Sequence, residues 1–187
     1  MNEVLSKSLN GVNVDQLFGT IDAIKKNADI AFFKFKSTTK WIKGGHCQTK
    51  IKDFFGATQE DSSRPKPFIL EGDEPGILLG ENHGPNAVEA ILHALASCLS
   101  VGIVYNASAM NIEVNSLNFS LEGELDLRAF LGLSEEVRPG YRNIVVKVYA
   151  KTNATEKQFA QLLEHVKKTS PVLDIISNPV PVQIELA

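Results

Sequence analysis

The chain has 187 residues, 43% of them apolar, with 19 Lys and Arg set against 22 Asp and Glu for a net charge of −3. That is enough apolar material for one domain of ordinary size with room for a short appendage, and it excludes disorder as the default state. The basic residues are scattered rather than striped, which argues against a nucleic-acid partner.

"NVDQLFGTIDAIKKNA" reads as an amphipathic helix. Asn13 is placed to cap it, Gln16 follows as in a capping box, and Val14, Leu17, Phe18, Ile21 and Ile24 form one stripe. "DIAFFKFKSTTKWI" alternates as a strand does, "KGG" is a turn, and "HCQTKIKDFF" is the returning hairpin strand. "GATQEDSSRPKP" is a loop by composition, "FILEG" a short strand, and the segment with Pro75, Gly76, Gly80 and Gly84 another loop.

A long apolar helix follows over Ala87–Ala109, with Asn86 as its cap. It is almost long enough to span a bilayer. However, Glu89, His93, Ser97, Ser100 and Asn106 interrupt it and it lacks Lys or Arg at its ends, so a core helix buried almost all round is expected and no membrane partner.

"IEVNSLNFSLEGELDL" alternates as a long strand with one face buried, "GLSEEVRPGY" is a loop, and "RNIVVKVYAKT" is the next strand. "NATEKQFAQLLEHVKKT" is a helix capped by Thr155, with Phe159, Leu162, Leu163 and Val166 inward. "SPVLDIIS" starts a second helix with its proline in the first turn, and "PVPVQIELA" closes as an edge strand. Strands in hairpin-like runs with helices gathered between them give an α+β class.

Two cysteines, Cys47 and Cys98, stand about fifty residues apart. With no Cys-x-x-Cys pair and no histidine cluster at metal spacing, neither a metal nor a cofactor is expected. The opening "MNEVLSKSLNGVNVDQ" lacks the apolar stretch of a secretory leader, so a reducing, cytoplasmic setting is expected.

Cys98 is the residue on which function turns. On helical geometry Glu89, His93, Ser97 and Ser100 share a sector of roughly 80°, and Cys98 lies near 180° from Glu89, with Ile91, Ala94, Val101 and Tyr105. Either Cys98 is packing in the core, as buried cysteines usually are, or it faces a pocket in which a cation favours the thiolate. Lys40, Lys43, Arg64, Arg138 and Arg142 are the available cations. His93 is about 140° away on the same helix, too far round to activate the sulfur directly.

"GPNAVEAILHALASCL" resembles the helix of the OsmC/Ohr family that carries a peroxidatic cysteine. "WIKGG", "DEPGILLGENHGPN", "SLEGELDLRAFLG", "EEVRPGYRNIVVKV" and "SPVLDIISNPVPVQIEL" extend the likeness over residues 30–187, leaving 1–29 as an N-terminal helical extension. The resemblance implies long central helices wrapped by antiparallel-rich sheets in an intertwined homodimer. It also implies thiol-dependent reduction of organic hydroperoxides in stress defence, with Cys98 catalytic and Glu89 a supporting or helix-start residue.

Three departures qualify that transfer. The family's second, resolving cysteine aligns with Ser170, which cannot exchange thiols, so an external thiol reductant is implied. Ohr-type proteins carry a glutamate ten residues before the cysteine, where this chain has Val88; Glu89 is displaced by about 100° around the helix. "FKFKSTTKWIKGG" has lysines where an arginine is expected, and lysine lacks the bidentate fork. The alternative is a non-catalytic dimer of the same fold that binds a small apolar molecule at the subunit interface.

Overall fold

The computed structural model of the protein describes residues 8–186, so residues 1–7 of the expected extension lie outside it. In chain order the elements are β1 (Ser8–Leu9), β2 (Val12–Asn13), α1 (Val14–Lys26), β3 (Phe33–Phe35), β4 (Thr38–Lys43) and β5 (His46–Ile51). There follow β6 (Phe54–Gly56), β7 (Gln59–Asp61), β8 (Phe68–Gly72), α2 (Ala87–Ala109) and β9 (Val114–Gly123). The chain ends with α3 (Leu127–Phe130), β10 (Ile144–Thr152), α4 (Glu156–Thr169) and α5 (Pro171–Ser177). All strand pairs are antiparallel, as the α+β reading requires. The described residues fall into two units, residues up to Val14 with Leu92 onward, and Asp15–Ile91.

In the first unit the core is set by one stripe of α2. Leu95, Leu99, Ile103 and Ala107 recur every fourth residue and are all buried, together with Ile112 and, from α4, Leu162 and Val166. Against them pack Leu117, Phe119 and Leu121 of β9 and Val146 and Val148 of β10, alternate residues on one face of a ribbon. The expectation of a one-face-buried strand is met, and so are α4, capped by a Thr155–Gln158 box, and α5 with Pro171 at its start.

α2 itself differs from expectation. It is long and apolar enough, by length and composition, to cross a membrane. It is not buried almost all round, because Ile91, Val101 and Tyr105 are 40–51% exposed on the flank away from the core stripe. The composition is apolar on both flanks, so the sequence does not reveal which one the chain covers. The expected closing strand is also absent among the described residues: 179–186 carry no strand, and Val182, Ile184 and Leu186 are fully or mostly exposed.

A two-residue hairpin turn, Asn10–Gly11 with φ of 53° and 78°, joins β1 to β2. Both central residues are left-handed, which asparagine and glycine tolerate. The Asn10 side chain donates to Ser108 Oγ (3.1 Å) and to the Ile112 carbonyl (2.9 Å), and accepts from Val114 N–H (2.8 Å). It thereby satisfies backbone groups left over where α2 ends and β9 begins.

In the second unit, β4, β5 and β8 form one sheet and β3, β6 and β7 another. The expected single strand over 29–42 is split, with a 3-10 turn at Ala28–Ala31 and then β3 and β4. The expected loop "GATQEDSSRPKP" contains β7, which pairs with β6 through Ala57 and Thr58 at φ of 48° and 68°. Neither residue announces a left-handed turn.

The loop between β8 and α2 is held by one carboxylate. Asp73, 3% exposed, accepts from the backbone N–H of Glu74, Glu81 and His83 and from the His83 ring Nδ1 at 2.8 Å. The His83 ring bond, followed by these amides, holds the Asp73 carboxyl well below the usual carboxylate range against the opposing effect of burial. His83 stacks on His46, centroids 4.3 Å apart, and His46 Nε2 lies 2.9 Å from the Glu71 carboxylate.

Two outcomes are expected. Asn10→Ala removes three hydrogen bonds and places alanine in left-handed backbone, so it should cost about 2–3 kcal/mol in chemical denaturation. A loss below about 0.5 kcal/mol would show that Asn10 anchors nothing. For Asp73 the folded state releases its proton more readily than the unfolded chain. Its contribution is therefore complete above about pH 4, where an unfolded aspartate is ionised, and is lost as pH falls toward its own lower value. The gap in urea midpoint between wild type and Asp73→Asn should be widest near neutral pH and shrink below about pH 4. A gap independent of pH would refute the role given to this carboxylate.

Candidate functional site

Asn86 and Glu89 set where α2 starts. The Asn86 side chain accepts from Glu89 N–H and the Glu89 carboxylate accepts from Asn86 N–H, both at 2.9 Å, a reciprocal box at the helix N-terminus. From that start the buried stripe fixes the rotation of the helix, and Cys98, next to Leu99, falls at its edge. The sulfur is half-buried.

Two contacts define the neighbour across from Cys98. Gly102 approaches α4 so closely that a Cβ there would stand 2.9 Å from a Val166 methyl. One turn earlier on α2 and one turn later along the chain from Val166, Cys98 Sγ meets Ser170 Oγ at 3.2 Å. A step back on one helix matches a step forward on the other, so α2 and α4 run antiparallel here.

Ser170 is fixed by its own backbone role. It ends α4 and is the N-cap of α5, its hydroxyl accepting from Leu173 N–H at 3.3 Å, and it is 6% exposed. The sequence places these two residues 72 positions apart, and only their places in the family pattern connect them.

Around the sulfur lies an open concavity of about 570 Å³ lined by His93, Ala94, Ser97, Cys98, Val101 and Gly102 of α2. The other wall is Val166, Thr169, Ser170, Pro171 and Val172. The lining is largely apolar and, among the described residues, carries no lysine or arginine. His93 stands on this lining as well, with no hydrogen bond to the sulfur among the described contacts. Cys98 is thus neither walled in by hydrocarbon nor faced by a cation of this lining.

Three of the five candidate cations are engaged elsewhere. Lys43 Nζ pairs with Glu81 at 2.8 Å, and Arg142 with Asp126 at 2.7 Å. Arg64 donates to the Lys52 carbonyl at 2.7 Å and lies over the Phe54 and Phe68 rings. Glu89 is committed to the helix start and is not on the lining. Cys47 is the second residue of β5, opposite Trp41 and Gly72. Among the described residues no group of three or more His, Cys, Asp or Glu side chains is arranged to hold a metal ion.

The family model for OsmC-like protein matches residues 80–185, which include Cys98 and Ser170. An OsmC-like protein from Mycoplasma pneumoniae is similar in structure at a TM-score of 0.60 and 17% identity, covering 78% of this chain and 89% of that one. A putative osmotic stress induced and detoxification response protein from Psychrobacter arcticus follows at 0.57 and 13%, covering 76% and 88%. An organic hydroperoxide resistance protein OsmC from Legionella pneumophila is similar at 0.51 and 17%, covering 78% and 90%. At these identities the likeness is one of fold. No curated protein matches the chain. With more than half of its residues in the family pattern and its elements in that fold, the chain belongs to the OsmC-like protein family.

Proposed function

We propose that the protein is a one-cysteine peroxidase that reduces organic hydroperoxides, with Cys98 as nucleophile. The observation that carries this reading is the half-buried sulfur opening onto an apolar concavity on the exposed flank of α2, large enough for the organic part of a hydroperoxide. The thiolate attacks one peroxide oxygen and the O–O bond breaks. The sulfur becomes sulfenic acid, and the leaving alkoxide takes a proton and departs as an alcohol. Ser170, where the family pattern has its resolving cysteine, forms no disulfide. An external thiol therefore displaces the sulfenic oxygen as water to give a mixed disulfide, and a second thiol releases it and restores Cys98.

Glu89 serves this reading by holding the start of α2 rather than by touching the reacting atoms. The setting proposed is the reducing cytoplasm and the assembly a homodimer. A second copy would cover the exposed Ile91, Val101 and Tyr105 flank. The cation that favours the thiolate would then come from outside this lining.

The second reading, a non-catalytic dimer that binds a small apolar molecule, is favoured by the lining without lysine or arginine. One experiment separates the two. Purified protein treated with cumene hydroperoxide in the presence of dimedone should carry the sulfenic-acid adduct on the Cys98 peptide, and Cys98→Ser should carry none. Hydroperoxide consumption with dithiothreitol should fall to background in Cys98→Ser. If iodoacetamide labels Cys98 while no dimedone adduct forms at any hydroperoxide concentration, the peroxidase reading is wrong and the binding reading stands.

A further inference from the structure

We infer that Ser170 is a positioning residue for Cys98, its hydroxyl proton held on the sulfur by the helix cap that the same oxygen completes. The inference rests on the reading of Cys98 as the reactive sulfur. It turns on the hydrogen-bond capacity of one hydroxyl, which has a single proton to give and two lone pairs to accept with. Ser170 Oγ already accepts from Leu173 N–H at 3.3 Å, and that bond is an N-cap, so the side-chain torsion is not free to wander. The hydroxyl proton remains, and the neighbour within reach is Cys98 Sγ at 3.2 Å.

While the sulfur is a thiol, either atom can donate. Once it is a thiolate it has no proton, so the serine is the donor, and a hydrogen bond to the charged form favours that form. Ser170 itself is 6% exposed, which limits the competition of water for its hydroxyl. Pro171 adds rigidity: it follows the cap directly and its ring fixes φ at the first helical position. The residue that aligns with the family's second cysteine thus has work of its own, stabilising the anion it cannot resolve.

The test uses alkylation, so it does not depend on any hydroperoxide reaction. In a Cys47→Ala background, iodoacetamide alkylation of Cys98 is measured from pH 5 to pH 11 for wild type, Ser170→Ala, Ser170→Gly and Ser170→Thr. The glycine variant keeps most of the cap strength of serine, so it reports the missing hydroxyl even where the alanine variant loosens α5. Both should react roughly three- to tenfold more slowly than wild type near neutral pH, and the deficit should vanish or reverse at strongly alkaline pH, where the thiolate without the bond is the stronger nucleophile. Ser170→Thr, which keeps the hydroxyl, should restore the wild-type profile.

Equal rates for the folded glycine variant and wild type across the range would overturn the inference. So would a uniform change in rate at every pH, the mark of altered access alone. If the peroxidase reading fails in the dimedone experiment while the glycine variant still shifts the alkylation profile, the role of Ser170 survives without that reading.

Discussion

The rotation of α2 about its own axis is the constraint from which the rest of the site follows. A helix of this composition could bury several faces, since Leu, Ile, Val and Ala occur all around it. Burial of Leu95, Leu99, Ile103 and Ala107 selects one face, and the close approach at Gly102 seats it against Val166. With that face inward, Cys98 has one available position, at the margin between core and concavity. A larger residue at 102 would push α4 outward, and the first contact to lengthen would be the one from Cys98 to Ser170, a single turn away.

Placement at a margin matters chemically. A sulfur in the centre of the core would be inert, and one on an open surface would have no fixed donor and no shaped substrate space. At the edge, one side of the sulfur meets the concavity and the other meets the hydroxyl. The same margin leaves an apolar flank uncovered within the chain, which is uncommon for a helix this hydrophobic and is the basis for proposing a second copy there. The packing that orients the sulfur and the flank that calls for a partner are two sides of one helix.

Much of this was legible in the residues because several elements carry local signals that agree with their packing. α2 begins and ends where its apolar run does, with Asn86 at its start, and α4 opens on a capping box written out as Thr155 and Gln158. Alternation identified β9 and β10 together with the face they bury. Misreadings arose where geometry departs from composition. The Ala57–Thr58 turn adopts left-handed backbone without glycine, which hid the β6–β7 hairpin. Asn10–Gly11 is a strong hairpin signal, but the strands flanking it are only two residues long and carry no alternation to support it. The closing "PVPVQIEL" alternates like a strand but pairs with nothing in its own chain among the described residues. The Cys98–Ser170 contact has no local signal, being a product of an antiparallel helix pair joined through a long stretch of sheet. Its one trace in the sequence is that Ser170 falls where the resembling family carries its second cysteine.

On the proposed reading, the exchange of a thiol for a hydroxyl at position 170 alters the order of the reaction rather than its first step. A resolving cysteine held beside the sulfenic acid acts at an effective concentration that can reach roughly 10⁵–10⁸ M for well-oriented groups. Without it, resolution depends on an external thiol at its actual concentration, many orders of magnitude lower. The first half of the cycle, attack on the O–O bond, is untouched, because it needs only the thiolate and the hydroperoxide. The balance therefore shifts toward the oxidised enzyme, and the sulfenic acid lives for as long as a thiol takes to arrive. A hydroxyl that can donate to the sulfur in both states suits such a site, since the oxidised cysteine must persist without damage between turnovers. The open mouth of the concavity suits it as well: the reductant must enter by the route that the alcohol has just left.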